Sequence, residues 1–359
     1  MGDFRVTIFG AGNLGSALAA HLTRGPGGFA VEILDPSEQA LDKLRDLNLP
    51  VVLRPLPRED AIVPVLKQSD VVVAAAPEWA LPAIARAAAS AGTHYLDFSP
   101  PRAATAQILA PLAHGRIVLN GCGVSPGLVG NVARSLLARC APVGDLSIRV
   151  GAVPRYPTNR LGYGQIWDID GLIDEYTQPC EALRDGEVAS LAPLESLEHV
   201  VIDGVTYEAF TTSRGLAELE MFRAAGLRNV TFKTLRYPGH LDHMKFLLDD
   251  LGLRGRRDML RSLLLNGLPI VDDDVLILLL TARGDRGARK VETSASYRFR
   301  RDATLGPFNT MTSVAAGYAA ALLARLKDGA LGESGFVAHR EIAVEALLRD
   351  RYLASMLAD

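Results

Sequence analysis

The sequence predicts an α/β fold: a doubly wound parallel sheet, followed by an inserted α+β domain and by C-terminal helices that return to the first domain. Three observations carry this. Short Val/Ile/Leu runs alternate with helix-period segments up to about Val143, as parallel strands buried on both faces require. Beyond that point the strands lengthen and a hairpin pattern enters. The end of the chain is rich in Ala and Leu at helical spacing.

In order, the expected strands of the first part are Arg5–Phe9, Ala30–Leu34, Val51–Leu53, Val71–Ala75, Thr93–Phe98 and Ile117–Leu119. Between them, Leu14, Ala17, Leu18 and Leu22 recur at helical spacing and predict a helix over Asn13–Thr23. The Ala-rich segment Pro77–Ala91 predicts another, ending on Gly92 as a C-cap. Ser125 as cap and Pro126 as first residue predict a helix reaching Ala138. In the second part Asp145–Val153 reads as a strand. Val275–Ala282 and Lys290–Arg298 read as a hairpin around Arg283–Gly287. Helices are expected at Gly171–Tyr176, Ala217–Ala224, His240–Leu251 and Asp258–Leu265, and in the tail at Thr312–Leu326 and Arg340–Leu357. The expected domains are residues 1–142, 143–308 and 309–359.

Composition removes several function classes. Lys and Arg number 38 against 41 Asp and Glu, a net charge of −3, and aromatic residues are 6%. Neither an electrostatic footprint nor stacking platforms for nucleic acid are expected. The longest strongly apolar run, Val275–Leu280, is too short to span a bilayer. No basic-then-apolar leader precedes the first strand. Three cysteines without a CxxC pair predict neither disulfides nor structural zinc, and a cytoplasmic location.

Gly10, Ala11, Gly12, Asn13, Leu14 and Gly15 form G-x-G-x-x-G after a strand and at the start of a helix, inside a strand–helix–strand unit. This is the Rossmann-type dinucleotide fingerprint. Gly10 permits the turn, Gly12 lets backbone approach a pyrophosphate, and Gly15 lets helix and strand pack closely. Asp35 lies 20 residues beyond Gly15. Two roles are open to it: accepting the ribose hydroxyls of NAD, which disfavours NADP, or capping a helix in Asp35-Pro36-Ser37-Glu38.

Ligands of such sheets lie beyond the carboxyl ends of the strands. Ala75, Ala76 and Pro77 end the fourth strand and offer bare backbone to a nicotinamide ribose. Asp97 ends the fifth. Burial there would raise its pKa towards neutrality and suit it to move a proton; the other reading is a carboxylate that holds the following loop. Cys122 and Gly123 follow the sixth strand as further cofactor contacts, with Cys122 read as a small buried residue rather than a nucleophile. In the second domain Arg236, Tyr237 and His240 crowd a helix entrance, a grouping suited to carboxylate binding and proton transfer, with a structural histidine as the plainer reading of His240.

Other oxidoreductase designs are unsupported. No tyrosine has Lys four residues on, and three scattered cysteines do not suggest catalytic zinc. His240 and His243 read as a polar helix start, and Asp272–Asp274 as a solvated turn. No metal is expected.

The chain resembles the saccharopine dehydrogenase family, in particular its lysine 6-dehydrogenase-like branch. The likeness rests on GAGNLG (Gly10–Gly15), YLDFS (Tyr95–Ser99), NGCGVSPGLVGNVA (Asn120–Ala133), WDIDGLIDEYTQPCEALRDGE (Trp167–Glu187), EAFTTSRGL (Glu208–Leu216) and KTLRYPGHLDHMKFLLDDLGL (Lys233–Leu253). It implies hydride transfer from an amine-bearing carbon to NAD(P), a small-molecule amino-acid substrate and a homodimer or higher homo-oligomer. The expected activity is NAD-dependent oxidation of a primary amine, as in lysine 6-dehydrogenases, with a saccharopine-type secondary amine or a non-catalytic NAD sensor as alternatives. Asp97 and His240 are the candidate bases. Ser99, Tyr163, Thr211, Ser213, Arg214 and Arg236 are the candidate substrate contacts. Arg214 stands where a small residue is expected, and either binds an extra carboxylate or faces water.

Overall fold

In the computed structural model the described residues are 3–24, 27–100, 102–140, 143–213, 215–216, 219–286 and 289–358. They form two compact units, the first comprising residues 1–131, 302–308 and 312–355, the second 132–301, 309–311 and 356–359. The strands of the N-terminal region are β1 (Phe4–Phe9), β2 (Phe29–Asp35), β3 (Val52–Pro55), β4 (Val71–Ala74), β5 (His94–Asp97) and β6 (Ile117–Leu119). The helices between and after them are α1 (Asn13–Arg24), α2 (Glu38–Arg45), α3 (Glu59–Leu66), α4 (Leu81–Ala91), α5 (Ala103–Leu109) and α6 (Leu128–Arg139).

The sequence explains this order. All four residues of β4, Val-Val-Val-Ala, are buried, as a strand covered on both faces demands. α4 ends on Gly92 at φ 71°, where its N–H returns to Ala88 and no Cβ opposes the left-handed turn. Ile84, Ala85 and Ala88 of α4 then join Phe9, Val72, Tyr95 and Val118 in one core. α6 departs from expectation. It begins at Leu128, beyond a cis Ser125–Pro126 peptide, so Ser125 and Pro126 neither cap nor open it. The Gly123 carbonyl instead accepts the Leu128 N–H at 3.0 Å.

The second unit contains β7 (Asp145–Pro154), α7 (Ile169–Thr177), β8 (Cys180–Arg184), β9 (Glu187–Leu191), β10 (Glu198–Ile202), β11 (Val205–Thr211), α8 (Leu219–Ala224), β12 (Asn229–Arg236), α9 (His240–Lys245), α10 (Arg257–Gly267), β13 (Asp274–Arg286) and β14 (Arg289–Arg300). Its mixed sheet runs β10-β11-β12-β7-β13-β14, with β8 against β12 and β9. The hairpin is longer than the sequence suggested: Gly284 and Asp285 remain in register with Val291 and Lys290. The helix predicted over His240–Leu251 is α-helical only to Lys245 and continues as a π-helical turn to Asp250. Val153, Tyr207, Ala209, Leu235, Val275 and Ile277 form a core on this sheet.

The tail supplies α11 (Thr310–Lys327), β15 (Gly335–Phe336) and α12 (Val344–Leu348). β15 pairs in parallel with β6 and completes a seven-stranded sheet, β15-β6-β5-β4-β1-β2-β3. The single helix expected over Arg340–Leu357 is not formed. Asn131 Nδ2 takes the carbonyls of His339 and Ile342 at 2.8 and 2.9 Å, and the Asp350 carboxylate accepts the Tyr352 N–H at 3.2 Å. Side chains thus claim backbone groups that a continuous helix would use.

Candidate active site

The fingerprint loop occupies the turn from β1 to α1. Gly10 has φ +113°, and a Cβ there would sit 2.2 Å from the Ala75 carbonyl oxygen; one on Gly15 would sit 2.0 Å from the Gly10 oxygen. Both positions are closed to any side chain. A Cβ on Gly12 would meet nothing within 4 Å. Gly12 and Asn13 are exposed at the start of a 12-residue helix, Leu14 is half-buried, and the Ala11 and Gly15 backbones are buried. Space, N–H groups and the positive end of α1 therefore coincide where a dinucleotide pyrophosphate would lie. A cleft of about 450 Å³ opens beside the loop. Leu44, Leu47 and Phe308 give it apolar walls, and Ser37, Gln39 and Lys43 a polar rim.

Asp35 ends β2 and ties two segments together. Its Oδ2 accepts the Ala11 N–H and its Oδ1 the Ser37 N–H, both at 2.7 Å. Ser37, not Asp35, is the N-cap of α2, and its hydroxyl accepts from Ala40. The capping reading of Asp35 is thereby corrected, because the helix starts two residues later than the Asp-Pro pattern implied.

Ala75 and Ala76 are half-buried at the end of β4, and Pro77 is exposed. Asp97, at the end of β5, is 2% exposed. Its Oδ1 accepts the Gly121 N–H at 3.0 Å, and its Oδ2 accepts Asn120 Nδ2 at 2.8 Å. Burial raises its pKa to about 6 against the pull of these bonds and of the Ser99 backbone. Ser99 itself is half-buried just beyond. Cys122 is wholly buried, burial pushes its thiol well up, and its N–H goes to the Asp97 carbonyl at 2.8 Å. It has neither a thiolate nor a spare N–H for a cofactor. The Gly123 N–H closes the loop onto the Pro126 carbonyl at 3.1 Å.

In the second unit the predicted residues gather in a closed network. His240 is 1% exposed. Its Nδ1 lies 2.8 Å from the Leu161 carbonyl, which only accepts, so Nδ1 carries the proton and Nε2 accepts from the Tyr176 hydroxyl at 3.0 Å. Tyr176 in turn accepts Arg236 Nε at 2.9 Å, and Arg236 Nη2 pairs with Glu175 at 3.3 Å. The guanidinium lies 4.5 Å from the centre of the Tyr163 ring, whose hydroxyl accepts Trp167 Nε1. Burial and the Arg236 charge lower the His240 pKa to about 3. A neutral ring with both nitrogens committed is a poor base.

Thr211 donates to the Ala192 carbonyl and Ser213 to the Asp174 carbonyl, at 2.8 and 2.9 Å, both side chains being buried. Their hydroxyls brace the unit instead of facing a substrate. Arg214 lies outside the described residues. Sequence reasoning singled out neither Tyr176 nor Glu175, although both fall within the motif blocks. It also passed over Asn120 and Lys43. Among the described residues, no group of three His, Cys, Asp or Glu could hold a metal ion, and no helix is long and apolar enough to cross a membrane.

Two family models account for most of the sequence. Residues 6–114 match the saccharopine dehydrogenase NADP binding domain, and residues 123–347 match the saccharopine dehydrogenase C-terminal domain. The chain belongs to the saccharopine dehydrogenase family. Among solved structures, the saccharopine dehydrogenase (L-Glu forming) of Saccharomyces cerevisiae superposes with a TM-score of 0.81 at 15% identity, covering 99% of each chain. A probable dehydrogenase from Thermotoga maritima gives 0.48 at 12% identity over 96% of this chain and 94% of that one. Family membership makes the protein an NAD(P)-binding oxidoreductase acting on CH–NH groups. The Rossmann-type sheet with its second mixed-sheet domain is the family's fold.

Proposed function

We propose that the protein oxidises the side-chain primary amine of an amino acid with NAD, with L-lysine as substrate. The observation that carries this reading is Asp97: a buried carboxyl at the carboxyl edge of the sheet, raised to about 6 and held by two donors. Such a group can take a proton near neutral pH and return it. The open Gly12 backbone and the α1 N-terminus would hold the pyrophosphate of NAD(P), which when bound supplies the hydride acceptor. Asp97 removes a proton from the substrate ammonium, so the nitrogen lone pair can expel hydride from the adjacent carbon. Water then adds to the resulting iminium, and Asp97 returns its proton to the nitrogen as it leaves as ammonia, giving an aldehyde. The Gly121 N–H and the Asn120 amide hold the carboxylate in place.

The choice of NAD rests on the Asp35 carboxylate at the end of β2, which suits two ribose hydroxyls and opposes a 2′-phosphate. A second reading, a saccharopine-type secondary amine with NADP, is favoured by Ser37 and Lys43 on the rim of the adjoining cleft, a hydroxyl and a cation suited to that phosphate. The same proposal includes a cytoplasmic homodimer or higher homo-oligomer.

The deciding experiment follows cofactor reduction by absorbance with L-lysine, ornithine, diamines and saccharopine offered separately, each with NAD and with NADP. Turnover of lysine with NAD and release of ammonia is the expected result. Turnover of saccharopine alone selects the second reading. Cofactor binding without turnover of any amine overturns both.

A further inference from the structure

The register of β15 against β6 pairs Phe336 with Val118 and continues with the Val337 N–H on the Val118 carbonyl at 3.0 Å. Beyond the ends of both strands, His339 opens a 3-10 turn (His339–Glu341) that turns its ring onto Asn120. Its Nε2 lies 2.8 Å from the Asn120 main-chain carbonyl. That carbonyl belongs to the same peptide group as the Gly121 N–H, which donates to Asp97 Oδ1. One rigid plane therefore carries a donor on its oxygen and presents its own donor to the carboxylate.

We propose that His339 is a positioning residue for Asp97, acting through the Asn120–Gly121 peptide. The inference rests on the reading of Asp97 as the acid–base group. A carbonyl oxygen only accepts, so Nε2 bears the proton. Hydrogen bonds in series polarise one another, so a donor on the Asn120 oxygen makes the Gly121 N–H a stronger partner for ionised Asp97. The ring is itself fixed. The Tyr318 hydroxyl lies 2.7 Å from Nδ1 and 2.6 Å from Asn131 Oδ1, while Asn131 Nδ2 holds the His339 carbonyl. Tyr318 and Asn131 are buried, and the Tyr318 and His339 rings meet edge-on at 5.8 Å. Segments far apart in sequence, in α6, α11 and the tail, thus converge on one peptide plane. The other titratable neighbours of this cluster are Arg340 beside His339, and Tyr95 and Cys122 beside Asp97.

The test compares H339Q, H339L and Y318F in the whole protein. Gln can present an amide N–H to the Asn120 carbonyl, and Leu cannot. The Asp97 carboxyl is titrated by infrared difference spectroscopy against D97N, and kcat/KM for amine oxidation is measured across pH. In H339L the Asp97 midpoint is expected to rise by roughly one pH unit, a tenfold change in proton affinity. The acid limb of kcat/KM should follow, with cofactor affinity unchanged. H339Q should stay close to the parent protein. Y318F, which frees Nδ1 but retains the imidazole, should move the same way by less, and gives the answer should H339L not fold. An unmoved midpoint in folded H339L, or an equal shift in H339Q, overturns the proposal. The carboxyl titration needs no turnover: a shifted midpoint with unaltered kinetics upholds the His339 link and removes Asp97 from the reaction.

Discussion

Tyr176 and His240 face each other across 3.0 Å with the phenol as donor, because the opposite ring nitrogen already donates to Leu161. Burial and the Arg236 charge hold this imidazole neutral through the physiological pH range.

It follows that His240 should not titrate between pH 5 and 9. Nitrogen chemical shifts from a histidine-labelled sample should show one flat imidazole signal with the proton on Nδ1. A midpoint near 6.5 for that signal would contradict the neutral assignment. Tyr176→Phe should then cost about 1–3 kcal/mol in denaturant unfolding, since it strands both His240 Nε2 and Arg236 Nε in a buried site.

Asp97→Asn should lower kcat about 100-fold or more while NAD affinity stays within about threefold. Wild-type kcat/KM for oxidation should fall below pH 6, where the carboxylate takes up its proton. Comparable turnover in the variant would remove Asp97 from the chemistry.

A stability measurement gives an independent handle on the same group. Its folded pKa lies above the unfolded value, so the folded state binds more protons between the two and stability falls as pH rises through about 6. Relative to wild type, Asp97→Asn should therefore gain about 1–2 kcal/mol on going from pH 5 to pH 8. Parallel pH–stability curves for the two proteins would refute this.

The three fingerprint glycines should separate cleanly. Gly15→Ala drives a Cβ into the Gly10 carbonyl and should cost about 2–3 kcal/mol in a denaturant melt. Gly12→Ala meets no protein atom, so it should melt like wild type yet lose about tenfold or more in cofactor affinity. Equal losses of stability in the two variants would remove the distinction.

Asp35→Ser should raise the NADP-to-NAD ratio of kcat/KM by at least about tenfold, through loss of the carboxylate beside the ribose. The loop also loses its Ala11 and Ser37 contacts, so NAD affinity should drop in a direct titration. An unchanged ratio would assign Asp35 to loop structure alone.

The parallel sheet was legible because its strands are short continuous Val/Ile/Leu runs and its loops carry Gly at fixed offsets. Ile117–Leu119 was read to the residue, and the burial of Asp97 was legible because an acid ending such a strand is exceptional. β15 was not legible, since two residues leave no periodicity, and with it His339 went unnoticed. Of the two tail helices expected, Thr312–Leu326 forms, while Arg340–Leu357 was read as helix only because Ala and Leu are frequent in it. The backbone partners that break it up, Asn131 and Asp350, do not show in a local pattern. Arg236 and His240 read as ligand-facing because their buried partners Tyr176 and Glu175 lie about 60 residues away in sequence.

The late position of β15 bears on how the chain is made. β6 leaves the ribosome roughly 200 residues before its outer neighbour, which at ~5–20 residues per second is a delay of about 10–40 s. Throughout that interval the nascent sheet ends in an unpaired edge, the kind of surface that recruits foreign strands. A nascent chain stalled before Gly335 would therefore leave the β6 edge open, and the Asn120–Gly121 peptide would receive its outer donor only once His339 had been made.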